Sequence, residues 1–360
     1  MIRVGVIGSG GIFNELHLPY YQMTEKAKVV AVADVNEISA REACQKCGAD
    51  RWFSDYKELL KLEDVDAVDV CTHPAPHKEI AVAAARAGKH ILVEKPMCRT
   101  VKEADQMGAA AERAKVGLQV AYMIRFHPTY MKLKQLLDGK KLGDLKMAYS
   151  CQVGWFPPTH PWLFVRKQSG GMLVEQAIHT LDEWLWLYGP VEEVYAKVSH
   201  VPLGGTYPKP GKAVENNATL IARFRNGGNG ILVKSWAAEV GHEGEGVVGS
   251  KGSASVDESC LKWKTRGMDG PASFIPEVPD DGTYRTVDPK ARKEYYWSYA
   301  SKGASIEHWL KCIEGKEEPT TSGKVGRAGI EVAEAAYLSS KTGKVVKIKV
   351  SGNSGRGAGN

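Results

Sequence analysis

The chain has 360 residues, 43% of them hydrophobic and 25% charged, which is material and balance enough for two globular domains. Its 48 basic and 42 acidic residues leave a formal net charge of +6 with no basic run, so a nucleic-acid partner is not expected. No stretch of 18 consecutive apolar residues occurs, so no membrane partner is expected either.

The chain opens in a strand-like stretch, Ile2 to Ile7, with no charged and apolar leader before it. Its seven cysteines are odd in number and scattered, so the expectation is reduced thiols and a cytoplasmic location. Cys44 and Cys47 form one CxxC inside a helical stretch with no second pair, which reads as packing, and no metal site is expected.

Over the first 120 residues strand and helix signals alternate. β-branched runs at Val4–Ile7, Val29–Ala33, Ala67–Val70, Ile91–Val93 and Leu118–Ala121 predict strands. Amphipathic stretches at Phe13–Met23, Ile38–Cys47, Tyr56–Leu62, Lys78–Ala87 and Val101–Lys115 predict the helices between them. The alternation predicts a parallel sheet covered on both faces.

Gly8-Ser9-Gly10-Gly11-Ile12-Phe13 follows the first strand and opens the first helix. Gly8 permits a tight turn, Gly10 permits close backbone approach to a pyrophosphate, and the helix start offers unpaired N–H groups. Gly-x-Gly alone is a weak signal, and Phe13 stands where a dinucleotide fingerprint has its third glycine. The next strand ends at Asp34, whose carboxylate suits ribose hydroxyls and repels a 2′-phosphate, which favours NAD over NADP.

Strand Ile91–Val93 leads to Glu94-Lys95-Pro96. Ligands of an open parallel sheet collect at the carboxyl ends of its strands, so Lys95 is expected near the nicotinamide.

After Arg125 the pattern changes. Helices are predicted at Thr129–Leu137 and Gly171–Tyr188, with a strand at Lys146–Val153. Strands follow in succession at Val191–Val198, Ala218–Phe224, Gly230–Trp236, Gly246–Gly249 and Ala254–Val256, then helices at Tyr296–Ile313 and Val325–Lys341 and a last strand at Val345–Val350. Consecutive strands predict a mostly antiparallel sheet in an α+β half. Gly204–Lys212 and Gly267–Thr286 read as loops, and 351–360 as a flexible tail. The expected division is a Rossmann domain over 1–124 and a sheet domain over 125–350.

In the helix expected over Gly171–Tyr188, Glu175 and His179 are i and i+4 and share a face, and Asp182 is placed to orient the His179 imidazole. Two readings stand: a catalytic histidine, or a buried one satisfied by Asp182.

The Gly8/Gly10 turn, Asp34, the run Asp66 to Val70 leading to Thr72, Pro74 and His77, Glu94-Lys95-Pro96, Arg125-Phe126-His127-Pro128, Gly170-Gly171 and His179-x-x-Asp182 together resemble the Gfo/Idh/MocA oxidoreductases, over about residues 2 to 350. The resemblance implies an N-terminal Rossmann domain and a C-terminal domain whose open antiparallel sheet mediates homodimers or homotetramers. It implies NAD contacts at Gly8, Gly10, Gly11, Ile12, Asp34, Thr72, His77, Glu94 and Lys95. It assigns work on the substrate hydroxyl to Lys95 and His179, with Glu175 as third member where the family usually has Asp. Arg125, Trp162 and Tyr296 are candidates for the substrate wall, with packing as their competing reading. The implied activity is NAD-dependent hydride transfer at a secondary hydroxyl of a sugar, sugar derivative or cyclic polyol. Two alternatives remain open in such relatives: a redox-neutral, NAD-dependent glycosidase, and a non-catalytic ligand-sensing regulator.

Overall fold

The computed structural model of the chain describes residues 1–156, 160–202, 214–257, 259–279 and 287–349, without the side chains of 289–295. The loop expected at Gly204–Lys212, the end of the one expected over Gly267–Thr286, Val350 and the tail 351–360 lie outside the described residues.

The first sheet holds β1 (Ile2–Ile7), β2 (Ala27–Ala33), β3 (Arg51–Phe53), β4 (Ala67–Val70), β5 (His90–Val93) and β6 (Leu118–Val120). Its order is β3-β2-β1-β4-β5-β6 and every pairing is parallel. β4 is buried along its whole length, as a strand covered on both faces must be. α1 (Leu18–Tyr21), α2 (Glu37–Cys47), α3 (Tyr56–Leu60), α4 (His77–Arg86) and α5 (Val101–Ala114) connect the strands. Local chemistry sets several of their ends. Asn36 caps α2 by accepting from the N–H groups of Ile38 and Ser39, and Gly48 ends it in the left-handed region at φ 67°. Within this sheet only β3 escaped the sequence reading, being a three-residue edge strand without an alternating pattern.

α6 (Pro128–Asp138) leads into β7 (Leu145–Trp155), and short helices α7 (Arg166–Ser169) and α8 (Met172–Glu175) precede α9 (Ile178–Leu187). The second sheet then adds β8 (Val191–Ser199), β9 (Asn217–Phe224), β10 (Asn229–Ser235), β11 (Ala237–Gly249), β12 (Gly252–Val256), β13 (Leu261–Thr265) and β14 (Ala272–Phe274). α10 (Pro289–Ile313), α11 (Gly323–Thr342) and β15 (Val346–Lys347) complete the described chain. The nine strands run β14-β13-β12-β11-β7-β10-β9-β8-β15, antiparallel except for β7 with β10. β14 falls within the stretch expected to be loop; it pairs with β13, Leu261 opposite Phe274.

One face of this sheet carries the core. Ala218, Leu220, Ala222 and Phe224 of β9 are buried and alternate with exposed neighbours. α9 lies on that face: Gly230 of β10 meets Trp184 so closely that a Cβ would stand 2.7 Å from its ring. The two sheets part in the chain near residue 125, but α10 crosses back. Its Ile306, Trp309 and Leu310 join Val4, Val6 and Val32 in one core cluster. Among the described residues no helix is long and apolar enough to cross a membrane, and all seven cysteines carry free thiols.

Candidate active site

A cavity of about 730 Å³ opens where β1, β2, β4 and β5 end. Ile7, Ala33, Cys71 and Glu94, each at or next to a strand's carboxyl end, line one side of it. The second half of the protein closes the other side with Phe156, Trp162, Leu163, Glu175, Gln176 and His179. The volume suits a dinucleotide end and a small substrate.

The nucleotide end is built by the turn after β1. Gly8 has φ 93°, and a Cβ there would stand 2.7 Å from the backbone nitrogen of Thr72, so only glycine fits. At Gly10 a Cβ would meet no atom within 4 Å; the residue faces the cavity, which leaves the backbone approachable by a phosphate. Gly11 and Ile12 follow on the same wall. The helix then takes a π-helical turn over Phe13–His17 before α1. Phe13 is fully buried in the cluster with Val4 and Val6, so a bulky side chain fills the position where a third glycine would bring helix and sheet together. Asp34 stands at the end of β2. One carboxylate oxygen accepts from the Ser9 N–H at 2.7 Å and the Ser9 hydroxyl at 3.1 Å, the other from the Asn36 N–H at 2.8 Å. The carboxylate is locked to the glycine turn, half-buried in the cavity wall. These residues fit a dinucleotide: close backbone approach at Gly10, N–H donors at a helix start, and an acceptor at the ribose end.

At the other end, the Lys95 ammonium donates to the Glu175 carboxylate at 2.8 Å and to the Glu175 backbone carbonyl at 3.2 Å. Both side chains are largely buried, 18% and 10% exposed, and they join segments 80 positions apart. His179 lines the same cavity, half-buried. Burial, aided by the cations Lys95, Lys234 and Lys302, pushes its pKa well below the usual histidine value, so the imidazole is uncharged near neutrality. Its Nδ1 has no hydrogen-bond partner among the described residues.

The helix expected over Gly171–Tyr188 is interrupted. α8 ends at Glu175 and α9 begins at Ile178, with Gln176 and Ala177 between them, so Glu175 and His179 are brought together by a break rather than by one helical face. Asp182 does not orient His179. It turns to the 3-10 turn Met123–Phe126, where the Arg125 guanidinium gives it two parallel bonds of 2.8 and 2.7 Å. A planar fork satisfies a buried carboxylate better than one imidazole N–H. Arg125 is thereby committed to Asp182 and to the Thr320 carbonyl, and is not among the residues lining the cavity. Tyr296 is buried on α10 in a cluster with Tyr299, away from that wall as well. Trp162 does line the cavity, its ring 5.9 Å from that of His73.

Thr72 lines the cavity; His77 stands behind it. The His77 ring nitrogens lie 2.9 Å from the Thr72 carbonyl and 3.0 Å from the Pro96 carbonyl, which ties the turn after β4 to the turn after β5, where the Lys95–Pro96 peptide is cis. Glu94 lines the wall but is held from behind. His17 lies between Asp69 at 2.7 Å and Glu94 at 2.8 Å, and Lys302 of α10 pairs with Glu94 too. Burial opposes ionisation of Glu94, yet Lys302 and His17 overcome it and hold the carboxyl far below its usual range. Burial also opposes charge on His17, but Asp69 and Glu94 raise its pKa above the usual value. The carboxylate of Glu94 in turn accepts from the Lys95 backbone N–H at 3.1 Å, so the network positions Lys95. Glu215 does the equivalent for Glu175: it accepts from the Leu173 N–H at 3.1 Å, caps α8, and is paired with Arg166.

Sequence reasoning missed His17, Lys302, Glu215, Gln176 and Lys234. His17 sits on an apolar helix and Gln176 between two singled-out residues, so both had a weak local signal. The others lie on segments that only the fold brings to the site.

Fold and site together define an NAD-binding oxidoreductase of the two-domain Rossmann type. Residues 2–122 match the family described as oxidoreductase family, NAD-binding Rossmann fold (GFO_IDH_MocA), and residues 130–255 match the GFO/IDH/MocA C-terminal domain. The two matches span more than half of the chain, which belongs to the Gfo/Idh/MocA oxidoreductases. The chain is 28% identical over 353 residues to the myo-inositol 2-dehydrogenase of Thermotoga maritima, covering 97% of this chain and 99% of that one. It is 25% identical over 352 residues to the D-apiose dehydrogenase of Paraburkholderia graminis, covering 96% and 89%. Among solved structures, a levoglucosan dehydrogenase in complex with NADH and levoglucosan shares the fold at TM-score 0.84 and 22% identity, covering 96% of this chain and 99% of that one. An aldose–aldose oxidoreductase from Caulobacter crescentus complexed with glycerol does so at TM-score 0.83 and 22% identity, covering 96% and 99%.

Proposed function

We propose that the protein is an NAD-dependent dehydrogenase or reductase acting at a secondary hydroxyl of a sugar, sugar derivative or cyclic polyol. The observation that carries this reading is the 2.8 Å Lys95–Glu175 pair, standing with His179 in the wall of the cavity that also holds the Gly8–Ile12 turn and Asp34. The nicotinamide, when bound, supplies the hydride acceptor or donor. The chain's own residues manage the proton. His179 is uncharged and ready to accept one, and Lys95 polarises the hydroxyl once it turns from Glu175 toward the substrate. Glu175 then accepts from a neighbouring hydroxyl. Trp162 and Phe156 offer apolar faces to the C–H side of a ring. The relatives named for inositol, apiose and levoglucosan support this substrate class.

A panel of sugars and polyols with NAD and with NADP, read at the NADH absorbance, tests it. Glycoside cleavage without net NADH would overturn it in favour of the redox-neutral route.

The open face of the second sheet supports a homo-oligomer. Tyr195, Ile221 and Ile231 sit directly opposite one another on β8, β9 and β10, exposed by 37%, 48% and 38%. Ile221→Glu with Ile231→Glu is expected to reduce the sedimenting mass to that of the monomer.

A further inference from the structure

We propose that Gln176 is a specificity-determining residue of this site: its side-chain amide, aimed by Trp236, presents N–H donors to the cavity between Glu175 and His179 and selects a substrate carrying an acceptor oxygen there, a hydroxyl of the polyol. The inference rests on the functional reading above and adds to it a residue with a defined partner.

The orientation follows from hydrogen-bond chemistry. The Trp236 indole Nε1–H bonds the Gln176 side chain at Oε1. An indole N–H can only donate, so the atom that receives it must be the amide oxygen, and the amide cannot be turned over. The Nε2 group is then directed elsewhere, and no described residue accepts from it. Gln176 is half-buried and lines the cavity, so its free donors belong to that space.

Trp236 is itself fixed. It is 2% exposed, stacked on Phe156 at 5.3 Å and edge-on to Phe164 at 5.6 Å. Its backbone N–H donates to the Asn216 carbonyl at 2.8 Å, and its carbonyl accepts from the Phe156 N–H at 3.1 Å. The break between α8 and α9 falls at Gln176 and Ala177, which leaves Gln176 outside the regular helix and next to the Lys95–Glu175 pair. A donor held in advance by a buried aromatic costs little to order when the substrate arrives.

Three variants separate the parts of the argument. Gln176→Met removes both the oxygen that binds Trp236 and the donors. Gln176→Glu keeps an oxygen for Trp236 and removes the donors. Trp236→Phe removes the anchor and leaves the amide. With a polyol that the wild type oxidises, Gln176→Met and Gln176→Glu are expected to raise KM about tenfold while kcat stays within about threefold. Trp236→Phe should raise KM by less. The Trp236 indole N–H resonance in the unliganded protein is expected to move in Gln176→Met and to stay near its place in Gln176→Glu. An indole resonance unmoved in Gln176→Met overturns the anchoring, and an unchanged KM in both Gln176 variants overturns the selective role. If no sugar or polyol yields NADH, the functional reading fails separately. Myo-inositol binding to the NADH-loaded protein then decides the inference, and equal affinity in wild type and Gln176→Met overturns it.

Discussion

The Lys95 ammonium and the Glu175 carboxylate stand 2.8 Å apart and join two segments that share no secondary-structure element. Neither is catalytically placed alone. Lys95 is the second residue of the turn after β5, and Glu175 ends a four-residue helix capped by Glu215. Lys95→Met is expected to lower turnover by about 10²–10³-fold, the range for losing one donor that polarises the reacting oxygen, with NAD affinity nearly unchanged. Glu175→Gln should lower it less, and the double variant should lose less than the two losses multiplied, because the residues act as a unit. Single-turnover rates and a calorimetric NAD titration check this; full additivity would contradict it.

His179 is held uncharged by burial and by the cations around it: Lys95 beyond β5, Lys234 on β10 and Lys302 on α10, opposed by Glu94. Glu175 on α8 and Asp182 and Glu183 on α9 are the neighbouring acids of its own segment; Asp182 is paired with Arg125, and burial beside Glu245 raises the Glu183 pKa well above the ordinary value. A base with a depressed pKa takes up a proton only below that lowered value, so His179 stays free to accept one down to lower pH than an ordinary histidine. The acid limb of kcat/KM is therefore expected below pH 6.5. Lys234 is 3% exposed, and burial brings its pKa down to about 8. Lys234→Met should move the acid limb upward, since one cation that repels the His179 proton is gone. An acid limb at 6.5 in the wild type, or an unmoved limb in a folded Lys234→Met protein, contradicts the assignment.

Asp34 accepts two bonds from Ser9 and one from the Asn36 N–H, so it shapes the glycine turn besides offering an acceptor at the end of β2, where the proposed nucleotide's ribose would lie. Asp34→Ser is expected to raise affinity for NADP relative to NAD by about tenfold or more, and to weaken NAD itself because the Ser9 contacts are lost. Calorimetric titration of both nucleotides reads the ratio; a wild type preferring NADP would refute it.

The His17–Glu94–Lys302 group is buried throughout, with side-chain exposures of 0%, 5% and 2%. Lys302→Met leaves a buried carboxylate facing one cation fewer, a loss worth about 3–5 kcal/mol when a buried pair is broken. Urea unfolding near pH 7 should show it. The pH dependence has two signs. Glu94, whose folded pKa is depressed, contributes stability above its unfolded value that is lost as pH falls. His17, whose folded pKa is raised, contributes stability at pH below its unfolded value that is lost as pH rises through the raised one. A Lys302→Met protein as stable as wild type would remove the network from the account.

What the sequence determined by itself is local. Continuous β-branched runs mark β1, β2 and β4 to β6, and amphipathic stretches mark the helices between them, because burial on both faces of a parallel sheet demands continuous apolar strands. Gly8 and Asp34 are legible because a positive φ and a strand-end carboxylate have few other uses. The tertiary structure decided the rest. It broke the predicted helix at Gln176 and Ala177, gave Asp182 to Arg125 instead of His179, and sent α10 back to the first core. It also joined Lys95 to Glu175, Gln176 to Trp236 and Leu173 to Glu215, pairs separated by 80, 60 and 42 positions. A side chain's partner at such range is chosen by which elements pack together, and hydrogen-bond geometry between packed elements leaves no periodic trace in the chain.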